Sequence, residues 1–453
     1  VNREGLVADD LNIDNIETLR HVFSNGQHTF ESKTVAPRGD PCCAHWAKRW
    51  PNGFRSQQFI DEPRGTFPAI IHHKRRRWGC DHCGGTTYEE LPWAFAGRGM
   101  TWRLSDWILK EGAGTSFTRV ADRCGLDART VADVFQERAI PVVKEIKAHM
   151  PRVLGLDEKH IFQGFRAVMG NVEQRTMFWM LPSRSNEALS EFFAKRDDLD
   201  RVEVVTVDMY AGYRKLLKDW FPRATVVIDK FHITRYATMA MDRARAALRP
   251  GQTQRERVKM LHQRWCLLKH RQDWEPKHVA AFHRMTEMHP ELAEIYEWKE
   301  RACAIWDLSD RREAEQAYIA WRRDLPTKYA RFFKRFTSAM TNWGDWIFNY
   351  FEHRYTNAYV ERLNGMIDDA NRIGRGYSYR VLFLKTMLQH GVPKPRKKKV
   401  NRSRDILDGV VYDFMTADVD IFGAFGDIFE EEPVNHGIPL ATLSEAFRDR
   451  SRW

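Results

Sequence analysis

Apolar positions recur in two rhythms along this chain, and the change between them falls near residue 150. Residues 101–138 repeat at helical spacing. Within them, the stretch Ser116 to Phe135 has the form of two helices joined by a tight turn. Val120 and Ala121 face a core, Gly125 permits the turn, and Asp127 caps a second helix whose Val131 and Val134 return to that core. From 151 the rhythm becomes that of strands. Residues 151–158, 161–169 and 175–181 alternate or run apolar, with Gly170-Asn171 as a turn. A helix is expected near 185–197, a fourth strand at 202–207, a helix over 210–220 and a fifth strand over Ala224–Ile228. Residues 230–325 then read as helical and rich in Trp, Arg and Glu. Three antiparallel strands followed by alternating helices and strands predict an α/β fold.

Composition narrows the function classes. The 453 residues exceed one ordinary core and predict several domains. Lys and Arg number 72 against 61 acids, a net charge of +11, which favours a polyanionic partner. No apolar stretch approaches the ~20 residues of a membrane span, and no signal region opens the chain. The expectation is a soluble, cytoplasmic protein with reduced thiols, since Cys124, Cys266 and Cys303 lie alone in helical patterns.

Three carboxylates carry the chemistry. Asp157 ends the run Val153-Leu154-Gly155-Leu156, and Asp208 ends Val204-Val205-Thr206-Val207. Glu361 lies far downstream, where Leu363 and Ile367 follow at helical spacing. Short apolar runs ending in an acid are how central strands deliver carboxylates to one sheet edge. Converging carboxylates call for hard divalent cations with oxygen ligands, and in a basic protein that combination points to phosphodiester chemistry on nucleic acid. Asp229 ends the fifth strand, and His232 follows three residues later as a supporting pair. Trp298, Trp306 and Trp321 of the helical stretch are expected as core packing rather than base-stacking residues.

The amino-terminal third offers a metal site and DNA contacts. Cys80-Asp81-His82-Cys83 is a CxxC, and Cys42-Cys43-Ala44-His45 offers a second ligand pair about 35 residues upstream. Cys42 with His45 has the two-residue gap, Cys43 is an alternative ligand, and His82 can compete. A structural Zn²⁺ held by some of Cys42, Cys43, His45, Cys80 and Cys83 would pin a small ribbon. The basic run Lys74-Arg75-Arg76-Arg77 precedes the CxxC. Arg129 and Thr130 begin the second helix of the helical pair, the end that reaches base edges or phosphates in a helix-turn-helix. A second basic run, Lys394 to Lys399, precedes a mixed tail with acids at Glu430-Glu431-Glu432 and a short helix expected at 441–450.

Taken together these motifs resemble a specific family. The cysteine-rich region, the helix-turn-helix, Gly155-Leu156-Asp157-Glu158, Val207-Asp208-Met209 with Tyr213, Ile228-Asp229-Lys230-Phe231-His232 and Asn357 through Asn364 are similar to DDE transposases of the bacterial ISL-three insertion-sequence family. The similarity covers roughly 40–390. One departure is Asp40, which stands where the family's CPxC would place its first Cys. The resemblance implies a ribonuclease-H-like catalytic core with a helical insertion, preceded by a zinc-ribbon-like region and a helix-turn-helix. It implies an N-terminal segment (1–38), a zinc-binding region (39–96), a helix-turn-helix (97–140), the core in two parts (151–249 and 351–392) around an insertion (250–350), and a basic linker with tail (393–453). Asp157, Asp208 and Glu361 would be the catalytic acids, holding two Mg²⁺ or Mn²⁺. Partners would be double-stranded DNA, both transposon-end inverted repeats and target, bound by a homodimer near the nucleoid. Two alternatives stand beside an active transposase: a catalytically silent DNA-binding regulator, and a ribonuclease-H-type nuclease without strand transfer.

Overall fold

A computed structural model describes residues 11–38, 43, 49–146, 149–248 and 253–393. Cys42, His45, the basic run from Lys394 and the final helix expected at 441–450 lie outside the described residues. The chain divides into two compact units, one holding the chain up to 147 together with the part from Ile367 onward, the other holding 148–366.

The first unit opens with a sheet rather than with a separate leading segment and a small ribbon. β1 (Ile16–Ser24) and β2 (Gln27–Thr34) form a hairpin over Asn25-Gly26, both at positive φ, the conformation a two-residue hairpin turn requires. β3 (Arg49–Arg64) and β4 (Phe67–Cys80) form a longer hairpin, and β2 pairs with β4 in parallel. The short strands β5 (Thr86–Tyr88), β6 (Ala94–Phe95) and β7 (Met100–Thr101) complete the order β1-β2-β4-β3-β7-β6, with β5 on β4. Leu11, Phe30, Phe59, Ala69, Ile71 and Trp93 are its core. Strands from 16–34 and 49–101 therefore share one sheet, across the boundary at 38 that the resemblance implied.

Three helices follow: α1 (Trp102–Gly114), α2 (Phe117–Cys124) and α3 (Ala128–Glu145). Ser116 caps α2 and Asp127 caps α3 through the Thr130 amide. Gly125, at φ +71, closes α2 in the left-handed conformation that glycine adopts without strain. This is the helix-turn-helix expected from the spacing. A later helix, α16 in chain order (Tyr379–His390), packs on α1 and α3. Its Lys385 is buried, and the ammonium donates to the carbonyls of Gly112 and Thr115 at the end of α1, the latter at 2.8 Å. The Phe117, Phe135 and Tyr377 rings surround it at 4.5, 5.4 and 4.7 Å. Burial pushes this amine down to about 7, while the carbonyls and ring faces favour its charged form.

The second unit is built on five strands. β8 (Val153–Ile161), β9 (Gly164–Asn171) and β10 (Thr176–Leu181) run antiparallel, and β11 (Val204–Val207) and β12 (Thr225–Ile228) continue the sheet in parallel beside β8. The order is β10-β9-β8-β11-β12. All four residues of β11 are buried, as an interior parallel strand demands. Helices α4 (Asn186–Ala194) and α5 (Ala211–Trp220) connect these strands, and α6 (Lys230–Ala247) leaves the last of them. The helical block continues as α7 (Gln254–His262), α8 (Trp265–Leu268), α9 (Pro276–Met288), α10 (Pro290–Ala304), α11 (Arg311–Asp324), α12 (Thr327–Ala330), α13 (Lys334–Phe348) and α14 (Tyr350–His353). Trp306 and Trp321 are buried in its core and Trp298 packs against it, so the tryptophans serve packing as expected. The chain then returns to the sheet as α15 (Ala358–Gly374).

Candidate active site

β8 places Gly155 and Asp157 on one face, two residues apart, while Leu154 and Leu156 enter the core on the other. α15 lies against the glycine face. A Cβ on Gly155 would stand 2.4 Å from Val360 Cγ2 and 3.0 Å from Asn357 Oδ1, so only glycine admits the helix this close. That approach puts Glu361, in the first turn of α15, on the same side of the sheet as Asp157. β11 runs parallel to β8 with Val207 beside Leu156, so Asp208, just beyond the end of β11, emerges next to Asp157 in the middle of β8.

Two further contacts fix the start of α15. Asp229, at the end of β12, caps α6 through the Phe231 amide (2.9 Å) and accepts from the Asn357 amide (2.8 Å). Asn357 is fully buried and meets Thr206 of β11 through its side-chain oxygen (3.1 Å). Two turns further along, in α15, Asn364 donates to Asp157 Oδ2 at 2.7 Å. The other oxygen of Asp157 accepts from the Glu158 amide.

His232 lies between the remaining two acids. Its Nε2 is 2.7 Å from Asp208 Oδ1 and 3.2 Å from Glu361 Oε1, so those oxygens are no more than the sum of the two contacts, 5.9 Å, apart. Neither Asp208 Oδ1 nor His232 Nε2 is aligned for a hydrogen bond, although both atoms are buried. Burial opposes a charge on the imidazole. The carboxylate of Asp208, with Asp229 and Glu361 beyond it, outweighs that and raises its pKa. Burial, followed by the charge of Asp208, pushes the Asp157 carboxyl up to about 7. Glu361 is raised by burial and by Asp229.

Oxygen-only carboxylate donors, crowded enough to hold protons and with a buried oxygen that lacks a hydrogen bond, fit a hard divalent cation. The acids do not themselves form a close-set ligand trio. Among the described residues, the one group of three or more whose ligand atoms lie mutually within 4.8 Å is Cys43, Cys80 and Cys83. Ligands divided between two ions some 3.5–4 Å apart need not meet that spacing. The thiols do meet it: Cys80 ends β4, Cys83 is in the turn beyond, and Cys43 Sγ is 3.9 Å from His82 Nδ1.

The expected DNA contacts divide by what their side chains already do. Arg129 is exposed at the start of α3, whereas the Thr130 hydroxyl donates to Asp127 at 2.6 Å and strengthens the cap. Arg75 donates to the Gln57 side chain across the long hairpin and to the Glu89 carbonyl just after β5, and Arg77 donates to the Asn52 carbonyl of β3, so both brace the sheet. Arg76 lies over the Phe54 ring at 4.1 Å, and Lys74 is exposed. Sequence reasoning gave no role to Asn357, Asn364 or Gly155. The signal was present, since Asn357, Glu361 and Asn364 are spaced four and three residues apart, one stripe of a helix.

Comparison with known proteins agrees with these groupings. A family described as Transposase matches residues 154–386, which holds the five strands, the helical block and all three acids. The helix-turn-helix domain of transposase family ISL3 matches residues 89–139. The transposase for insertion sequence element IS1001 of Bordetella parapertussis is 25% identical over 329 residues, covering 71% of this chain and 80% of its own. With just over half its length matched by the one family and its helix-turn-helix by the other, this chain belongs to the transposases of family ISL3.

Proposed function

We propose that this transposase binds the ends of an insertion sequence, cuts the strands there in a metal-dependent reaction and joins the freed ends to target DNA. The observation that carries the reading is the joining of Asp208 to Glu361 through one imidazole atom, with Asp157 on the neighbouring strand. The strand order, with the antiparallel trio first and the two parallel strands on the far side of β8, supports a ribonuclease-H-like core. Asp157, Asp208 and Glu361 would hold Mg²⁺ or Mn²⁺. When bound, such ions supply an activated water or 3′-hydroxyl and neutralise the leaving 3′-oxygen.

The protein's own groups prepare the site. Asn364 fixes the orientation of the Asp157 carboxylate, and Asp229 holds the amide that begins the Glu361 helix. His232 keeps Asp208 and Glu361 together by countering their charge. Outside the core, the thiols of Cys43, Cys80 and Cys83 would hold a structural Zn²⁺ with a fourth ligand, for which His82, 3.9 Å from Cys43 Sγ, is a candidate. The complex on DNA would be a homodimer working at the bacterial chromosome.

The test is a nicking assay on a duplex carrying the insertion-sequence end. Asp157→Asn, Asp208→Asn and Glu361→Gln should each abolish Mg²⁺-dependent nicking and leave duplex binding near the parental level. A variant that nicks at the parental rate removes that residue from the site. Parent protein that binds ends yet never nicks them would favour a regulator instead. Nicking without joined product would favour a nuclease.

A further inference from the structure

The helix-turn-helix does not form its exposed face alone. A cleft of about 550 Å³ opens beside the start of α3, and its walls come from two distant parts of the chain. Ser116, Phe117 and Thr118 of the first helix and Ala128 and Arg129 of the second line one side. Gly374, the last residue of α15, with Arg375 and Tyr377 beyond it, lines the other. The second wall is firmly seated. The Tyr377 hydroxyl reaches the Thr115 carbonyl (3.4 Å), its ring lies 5.1 Å from that of Phe117, and Lys385 anchors the following helix to the end of α1. Arg375 itself adopts φ +48, the left-handed conformation, in a turn bounded by glycines. That turn leaves its side chain exposed at the cleft.

Charge says what the cleft fits. Arg129 and Arg375 are both exposed, and among the described residues neither guanidinium has an acidic partner or a hydrogen bond within the protein. By contrast Arg372, one turn earlier, pairs with Asp369 at 3.6 Å. Two unpaired guanidinium groups flanking the start of a recognition helix complement the sugar–phosphate backbone of the duplex that such a helix enters.

We propose that the turn Gly374–Tyr377 belongs to the DNA-contacting face and that Arg375 holds a backbone phosphate of the duplex that α3 enters. The proposal rests on the DNA-binding reading of the helix-turn-helix. It adds a contact from beyond the Glu361 helix, so the DNA-binding surface is discontinuous in sequence. The contact positions the duplex and carries no base preference.

The experiment measures full-length protein binding to a fluorescein-labelled mixed-sequence duplex, by anisotropy, across a salt series. Arg375→Asn removes the charge with a residue that tolerates the left-handed conformation, and Arg375→Lys retains the charge. Loss of one phosphate contact should reduce the salt slope by about 0.9, so the deficit of Arg375→Asn should shrink about 3.5-fold between roughly 50 and 200 mM salt. Arg375→Lys should keep the parental slope. If Arg375→Asn matches the parent in affinity and slope while Arg129→Ala binds more weakly, the proposal is wrong and the helix-turn-helix reading stands. Equal binding by the parent and both variants would overturn both. An affinity loss in Arg375→Asn with no change of slope would also overturn it, because the loss would then not come from phosphate contact.

Discussion

Replacing Gly155 with alanine tests how the third acid is positioned. The added methyl would meet Val360 Cγ2 at 2.4 Å, while ordinary contact begins at 3.4 Å, so the helix or the strand must move by about 1 Å. Asn357 Oδ1 and Val172 Cγ2, each at 3.0 Å, block the sideways routes. Overpacking of this kind costs about 1–3 kcal/mol of stability. Glu361 is the next residue after Val360, so the displacement passes into its backbone. A misplacement of about 1 Å at a reacting centre can cost roughly 100-fold in rate, or about 2.7 kcal/mol of transition-state stabilisation. Single-turnover nicking at saturating protein and Mg²⁺ should therefore fall about 100-fold in Gly155→Ala. The denaturant midpoint should shift modestly, and duplex binding should stay near the parental level. Adding Val360→Ala removes the closest methyl and should recover at least roughly 10-fold of the rate, with full recovery prevented by the Asn357 contact. Parental nicking and an unshifted midpoint in Gly155→Ala would show that α15 does not sit on this glycine. A folded double variant with no recovery would show that the clash is not the cause.

Three other outcomes follow from the described contacts. Asp157 has a folded pKa of about 7 against an unfolded value of about 3.9, so the folded chain retains a proton that the unfolded chain has lost between those values. Without divalent metal, stability should fall as pH rises from about 4 through 7, and Asp157→Asn should make that fall shallower, leaving the share of Glu361 and His232, which are raised in the same sense; superimposable pH profiles from denaturant unfolding in chelator would refute this. Metal analysis should find about one zinc per chain and less in Cys80→Ser, and a metal-free preparation with unchanged duplex binding would count against the thiol site. Lys385→Met keeps the side-chain length but leaves the Gly112 and Thr115 carbonyls without their donor, so it should lower stability by about 1–3 kcal/mol and weaken duplex binding; an unchanged midpoint would dissociate Lys385 from the seating of α16.

Local pattern made the strands and helices of the second unit legible. The run before Asp208 is the strand that the pattern predicts, whereas the strand that carries Asp157 continues past the acid to Ile161, because β8 goes on pairing with β9. The helix-turn-helix was equally readable, because Ser116, Gly125 and Asp127 are local caps whose chemistry needs no distant partner. What stayed hidden depends on residues far apart in the chain. The β2–β4 pairing joins strands some forty residues apart, and nothing in β1 or β2 alone announces it. The basic run looked uniform, yet Arg75 reaches Gln57 and Arg77 reaches Asn52 on the partner strand β3, which only the register of the hairpin determines. Asn364 was visible as a helix residue, but its bond to Asp157 spans 207 positions.

The bond from Asp229 to the Asn357 amide joins residues 128 positions apart, and that separation orders events during synthesis. At about 5–20 residues per second, the ribosome needs roughly 6–25 s to make the intervening block. Throughout that interval the nascent chain carries Asp157, Asp208 and His232 but not Glu361. The strands can pair and the helical block can collapse while the acid set is still incomplete. A message broken anywhere in the block yields a chain that has the amino-terminal helices but lacks the third carboxylate, Arg375 and the α16 that packs on those helices. On the proposed function, only a chain read through α15 would carry all three acids.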